Sequence, residues 1–342
     1  MSESQPDISF GIIGCGDVTE VKSGCLNKMS GSKLMAVMRR NLDRAKDYAT
    51  RHNVPHYFSS VDELLSSGLC DAIYIATPPE SHVSLAKQCI EAGIKRLYVE
   101  KPIGLNYIEA EDLMHFIQSK GSDIKCTIAH YRRALPQFKR VKQLVLDGCI
   151  GEVRMVNIRT MQNKMKNVSS DDWRVDPSIS GGGIFNDISP HQLDILVNIF
   201  GEIEKISGFC STFSGNTSDG NISPQVEDLV TGQIKFSSGV IANGQWYFRA
   251  TPALDGEDSC EIIGERGVIK FGFFGSLGKI LYTIEDGAEI VEEFPVPKHI
   301  QQPMLEEVVK YFQSNEQDDH KNPCSIQDAM VVMKIIDTFT AH

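Results

Sequence analysis

A short apolar run, Ile8 to Ile13, ends in Gly14-Cys15-Gly16, and this junction constrains the fold more than any other stretch of the chain. The run has the length of one buried strand. The two glycines let the backbone turn tightly and approach a phosphate at the start of a following helix. Gly14, Gly16, Asp17 and Val18 are therefore candidate cofactor contacts, although Thr19 stands where the glycine fingerprint usually has Gly or Ala. Polar residues with helical spacing continue to about Met29, and Leu34 to Met38 reads as a second buried strand. Strand and helix then alternate. Asn41 to His52 puts Ala45, Tyr48 and Ala49 on one stripe, Val61 to Ser66 is a short helix, and Asp71 to Ala76 is a third strand stopped by Thr77-Pro78-Pro79. Ser81 to Ala92 and Ile108 to Lys120 are helices ended by Gly93 and Gly121, with strands at Leu97 to Val99 and Lys125 to Ala129. Such alternation predicts βαβ units and a doubly wound parallel sheet.

From Gly151 the period becomes that of strands, with a hairpin turn expected at Phe236-Ser237-Ser238-Gly239. Helical segments interrupt at Gly183 to Phe200 and Met304 to Phe312, and Ser325 to Thr340 is a final helix expected to pack back on the first domain. The 342 residues suit two domains at about 150 residues each. The expected division is a dinucleotide-binding domain over 1–125 and a second α/β domain over 126–342, with a large, mainly antiparallel open sheet. Tyr131 to Gly148 is the connecting helix.

Composition narrows the partners. With 34 Lys+Arg against 45 Asp+Glu, the net charge of −11 repels phosphate backbones and anionic lipid, so neither nucleic acid nor membrane is expected. The polar start at Met1 to Ser9 carries no secretory pattern, and no apolar run approaches the roughly 18 residues of a spanning helix. The nine cysteines are odd in number, scattered and without a CxxC pair, which argues against a disulfide framework and a thiolate metal site. A cytoplasmic location is expected.

Three further segments carry chemistry. At the end of the second strand an NAD site usually places an acid; Met38-Arg39-Arg40-Asn41 has two guanidinium groups instead, a match for a 2′-phosphate, so NADP(H) is expected over NAD(H). Glu100-Lys101-Pro102 follows a strand whose carboxyl end faces the ligand crevice, and Lys101 there suits proton transfer; Pro102 could form a cis bond. Gly181-Gly182-Gly183 precedes a helix on which Asp187, His191 and Asp194 fall within roughly 60° of one another. That stripe suits an acid/base relay, a solvated polar face or a metal site, the last lacking a completing cluster. Upstream, Trp173-Arg174 sets an aromatic face beside a guanidinium, suited to a hydroxylated or anionic substrate.

With these residues in view, the sequence resembles the glucose-fructose oxidoreductase / inositol dehydrogenase / MocA family along essentially its whole length. G-I-I-G-C-G opens the match, followed by A-T-P-P-E-S-H at 76–82, V-E-K-P-I-G at 99–104, W-R-V-D-P-S-I-S-G-G-G at 173–183 and D-I-S-P-H-Q-L-D at 187–194. The resemblance implies a nicotinamide-dependent enzyme acting on sugars, cyclitols, polyols or related carbonyls, with an N-terminal Rossmann domain and a C-terminal open sheet that makes a homodimer or higher homo-oligomer. It implies that Lys101, His191 and Asp187 are catalytic, His191 moving the hydroxyl proton and Lys101 bonding the same oxygen. It further implies that Ala76, Thr77, Pro78 and His82 line the cofactor, that Glu100 sits near the nicotinamide ribose, and that Trp173 and Arg174 lie near cofactor and substrate. No metal is implied. A relative that cycles a held cofactor, or an idle dinucleotide sensor, is the alternative, and retention of Lys101, Asp187 and His191 speaks against the sensor.

Overall fold

The structure, a computed structural model, describes residues 6–22, 24–213, 226–314 and 321–341. The start of the chain at 1–5, read above as polar, lies outside them. The chain divides into two compact units: Met1–Gly104, Ile108–Ala134 and Pro297–Met330 form the first, and Leu105–Tyr107, Leu135–Val296 and Val331–His342 the second.

The first unit is built on strands β1 (Ile8–Ile13), β2 (Ser32–Met38), β3 (His56–Phe58), β4 (Ala72–Ile75), β5 (Arg96–Val99) and β6 (Lys125–Ile128). They lie in the order β3-β2-β1-β4-β5-β6, every neighbour parallel. This is the Rossmann arrangement, and its order reverses between β1 and β4, where the carboxyl ends of the strands leave a crevice. The connecting helices are α1 (Leu42–His52), α2 (Val61–Ser66), α3 (His82–Glu91) and α4 (Tyr107–Lys120). Burial on both faces explains the unbroken apolar strands: all of Ala-Ile-Tyr-Ile in β4 is buried. Local chemistry sets the helix starts. Asn41 caps α1 by accepting from Arg44 N, and Ser60 with Glu63 forms a full capping box on α2.

Two expectations for this half fail. β3 was not anticipated, because its His-Tyr-Phe is largely exposed and carries no apolar signal, so the strand at Ala72–Ile75 is the fourth and not the third. The helix expected to run to about Met29 is a single five-residue helical turn, Val18–Lys22, followed by turns from Gly24 to Gly31.

The second unit contains β7 (Val153–Met161), β8 (Ile203–Ser211), β9 (Leu229–Phe236), β10 (Ile241–Tyr247), β11 (Glu257–Gly264), β12 (Gly267–Phe271), β13 (Lys279–Ile284) and β14 (Ile290–Glu293). Their order is β14-β13-β12-β11-β7-β10-β9-β8, with β7–β10 parallel and the other pairs antiparallel. The expected hairpin turn joins β9 to β10, with Gly239 at φ +90 and its N–H on Phe236 O. Helices α5 (Pro136–Leu146), α6 (Pro177–Ser180) and α7 (Ile184–Phe200) belong to this unit. Phe138 of α5 packs on Phe271 and Phe273, and Phe185 of α7 meets Trp246 edge-on at 5.1 Å.

The end of the chain corrects a third expectation. Helix α8 (Gln302–Gln313), read as part of the second domain, belongs to the first unit, where Phe312 stacks on Phe10 of β1 at 6.2 Å and its carbonyl accepts from Arg96 Nε. The final helix, α9 (Ile326–Thr340), was expected to return to the first domain. Its first turn does so, with residues 326–330 in the first unit and Asp328 paired to Arg133, while its later turns put Phe339 on the second sheet, 6.0 Å from Trp246, beside Gly232 and Gly208. Those glycines exist because the ring needs the space: a Cβ on Gly232 would lie 2.3 Å from Phe339. Gly232→Ala should therefore destabilise the protein by about 1–3 kcal/mol through overpacking, seen as a lower urea midpoint.

Candidate active site

The glycine turn leaves β1 as the sequence suggested. Gly14 has φ +90, and a Cβ there would lie 2.7 Å from the Thr77 side chain. Gly16 is different: a Cβ on it would meet nothing within 4 Å, so its backbone faces open space. Thr19, at the position of the missing third glycine, clasps the turn. It is wholly buried, and its Oγ1 accepts from Gly16 N at 3.1 Å while donating to Gly16 O at 2.8 Å. Both polar groups of Gly16 are thereby tied down, and the turn holds its shape before any ligand arrives. Asp17 is exposed and Val18 half-buried beside it. Arg39, at the end of β2, reaches over the same turn and donates from Nη1 to Cys15 O at 3.2 Å, while Arg40 is exposed. Burial pushes the Cys15 thiol up to about 11 despite the nearby Arg39, so it stays protonated. An open, preorganised glycine turn with a guanidinium across it fits a dinucleotide phosphate.

At the ends of β4 and β5, two corners meet. Ala76, Thr77 and Pro78 are half-buried, with Ser81 Oγ 2.9 Å from Pro78 O, to which it donates, and 2.7 Å from Thr77 Oγ1. Glu100 and Lys101 are buried, at 6% and 9% exposure, and the Lys101-Pro102 bond is cis. His82, implied by resemblance to line the cofactor, is 0% exposed. Its Nδ1 lies 2.7 Å from Pro102 O and its Nε2 2.7 Å from Thr77 O. With both ring nitrogens engaged and no surface open, it braces the two corners from behind. Burial lowers its pKa, opposed by those two carbonyls and by Glu100. Glu100 is itself held by Tyr74, whose hydroxyl donates to Oε1 at 2.5 Å, and by Gln301, whose Nε2 donates to the same oxygen at 2.7 Å.

The second unit gathers the other candidates on α7 and the turn before it. Arg174 stacks 4.4 Å from the Trp173 ring, reaches Asp172 at 3.3 Å and pairs through Nε with Asp187 at 3.4 Å. His191 is 4% exposed, with the Phe274 ring 5.9 Å away, and Asp194 is 1% exposed. His191 and Asp194 are thus not solvated, whereas the Asp187 side chain stays 30% exposed. No group of three or more metal-ligating side chains occurs among the described residues. The three glycines serve packing within the protein: added Cβ atoms at 181, 182 and 183 would strike Leu105 O, the Asn186 side chain and Glu227 O respectively. Gly183 N donates to Glu227 Oε1 at 2.7 Å at the start of α7.

Four of these residues escaped the sequence reading: Gln301, Tyr74, Phe274 and Glu227. None sits in a motif, and each reaches its partner through long-range packing. The Asp187–His191 spacing and the E-K-P corner, by contrast, were visible as local patterns.

Comparison with known proteins decides the relationship. Residues 8–127 match the oxidoreductase family with an NAD-binding Rossmann fold, and residues 138–270 match the GFO/IDH/MocA C-terminal domain. The chain belongs to the GFO/IDH/MocA oxidoreductase family. Oxidoreductase P35 of Formosa agariphila is 40% identical over 336 residues, 97% of this chain and 98% of that protein. The 1,5-anhydro-D-fructose reductase of Ensifer adhaerens is 26% identical over 259 residues, 75% and 74% of the two chains. Among solved structures, levoglucosan dehydrogenase in complex with NADH and levoglucosan shares the fold at a TM-score of 0.83 and 18% identity, covering 97% of this chain and 96% of that one.

In this family member the start of α7 carries a titration signature. Burial pushes the Glu227 carboxyl up to about 7, with Asp228 adding to the rise and the Gly183 N–H opposing it. The native protein then holds a proton that the unfolded chain has already lost, so stability falls as pH rises from the ordinary 4.5 towards 7. Glu227→Gln should remove about 3 kcal/mol of that fall, measurable as a flatter melting temperature across the window.

Proposed function

We propose that the protein is an NADP(H)-dependent dehydrogenase or reductase that transfers hydride between nicotinamide C4 and a carbinol or carbonyl carbon of a sugar, cyclitol or related polyol. The observation that carries this reading is the pairing, in the first unit, of an open glycine turn at Gly16 with Lys101 held buried at the end of β5. Substrates named for the relatives above, levoglucosan and 1,5-anhydro-D-fructose, support the substrate class.

A bound nicotinamide supplies or accepts the hydride. The chain's own residues do the rest. Gly14, Gly16, Asp17 and Val18 seat the pyrophosphate, with Ala76, Thr77, Pro78 and Glu100 along the cofactor and His82 behind them. Arg39 and Arg40 take the 2′-phosphate, where an acid would select the free ribose hydroxyls. Lys101 donates to the substrate oxygen and stabilises its developing negative charge. His191 accepts or returns the hydroxyl proton, and Asp187 with Arg174 and Trp173 orients the substrate hydroxyls beside it. The cysteines of the described structure are free thiols, in keeping with a cytoplasmic enzyme. A second copy covers the outer face of the second sheet, where Phe209, Ile241 and Met155 are exposed, giving a homodimer.

Two measurements test this. In fluorescence titrations NADPH should bind more tightly than NADH, and Arg39→Ala should weaken NADPH about tenfold or more while leaving NADH nearly unchanged. On a panel of sugars, polyols and their carbonyl forms, Lys101→Ala and His191→Ala should each lower turnover by about 100-fold or more with folding intact. Tight NADPH binding without turnover of any panel member would mark an idle sensor instead.

A further inference from the structure

Gln301 stands 201 positions beyond Glu100 in the chain, in the segment that re-enters the first unit just before α8, and it is 0% exposed. Its Nε2 donates to Glu100 Oε1 at 2.7 Å, and its Oε1 accepts from the Tyr98 hydroxyl at 3.1 Å. The Tyr74 hydroxyl, 3.4 Å from the same amide oxygen, donates to Glu100 Oε1 at 2.5 Å. Donor and acceptor roles leave one arrangement. Each phenol has one proton to give, and a carboxylate has none, so the amide presents its NH2 to Glu100 and its carbonyl to Tyr98. Glu100 Oε2 meanwhile accepts from the backbone N of Lys101 at 3.3 Å.

We infer that Gln301 is a positioning residue for cofactor binding and hydride transfer, acting through Glu100 on the corner that carries Lys101. The inference rests on the function proposed above. A leucine of similar size would fill the space, yet Glu100 would lose one of its two side-chain donors while remaining buried. A buried carboxyl short of a donor is less firmly held and is free to swing. The amide therefore aims Glu100, beyond filling volume.

The test uses the full-length protein, with NADPH and NADH dissociation constants read by fluorescence alongside kcat, KM and their pH profiles. Gln301→Leu should weaken cofactor binding about tenfold, the effect of one lost hydrogen bond to a charged group, and should lower kcat. Combined with Glu100→Gln it should do no further harm to cofactor binding, since both changes remove the same link. Additive losses in the double variant would overturn the inference, because they would show that Gln301 acts independently of Glu100. Gln301→Glu keeps the test open if the leucine variant does not fold. It sets two carboxylates within hydrogen-bond range, which must share one proton. The other titratable groups facing this cluster are Tyr74 and Tyr98, the latter neighboured by Tyr131, Cys25 and Cys324, together with His82 and Lys101 on the Glu100 side. Cofactor binding by Gln301→Glu should therefore be weak at about pH 8 and recover towards about pH 6. A profile matching wild type would overturn the inference. Failure of the wild type to oxidise or reduce any substrate would defeat the proposed reaction and leave the binding arms of this test standing.

Discussion

Glu100 is 6% exposed at the end of a parallel strand, and a buried carboxylate is tolerable only where donors reach it. Its donors come from three places: Tyr74 on the neighbouring strand, the backbone N of Lys101, and Gln301 from the far end of the chain. That requirement shapes the first unit. The chain must come back after building the second sheet, and the returning segment does more than deliver one amide. It lays Phe312 on Phe10, takes Lys125 Nζ onto the carbonyls of Tyr311 and Ser314, and gives Cys324 O to Ile128 N. Residues 1–134 alone would leave Glu100 without the Gln301 amide and β1 without the cover of Phe312.

The second unit solves a parallel problem with a helix. Most of α7 is buried, so its polar residues need partners in the protein. Gln192 donates to Thr160 Oγ1 at 2.8 Å and accepts from Trp246 Nε1 at 2.6 Å, pinning the helix to β7 and β10. Loss of one partner would leave a buried polar group unsatisfied, at a cost of about 1–3 kcal/mol. Asp187 and His191 are thus carried on an element whose own rotation is fixed by hydrogen bonds.

Much of this was readable one segment at a time. Strands β1, β2 and β4 to β6 announce themselves because a parallel strand buried on both faces is a largely apolar run. The glycine turn, the Arg39-Arg40 pair, the E-K-P corner and the Asp187–His191 spacing are local patterns. β3 was not readable, because three exposed residues at a sheet edge carry no periodic signal. The assignment of α8 failed for another reason. Its apolar stripe says that it packs, and nothing in that stripe says on which unit.

The same distinction runs through the site. Sequence alone determined the doubly wound first half, the family, the residue types that can meet a phosphate or move a proton, and the helix face they share, because each depends on spacings of a few residues. Tertiary structure decided that Thr19 bonds both polar groups of Gly16, that His82 braces two corners from behind, and that Glu227 sits at the head of α7. It also decided that Glu100 is held by a residue 201 positions away. Those contacts join segments distant in the chain, and whether a buried polar group finds a partner depends on where the completed fold brings that partner, which no local pattern encodes.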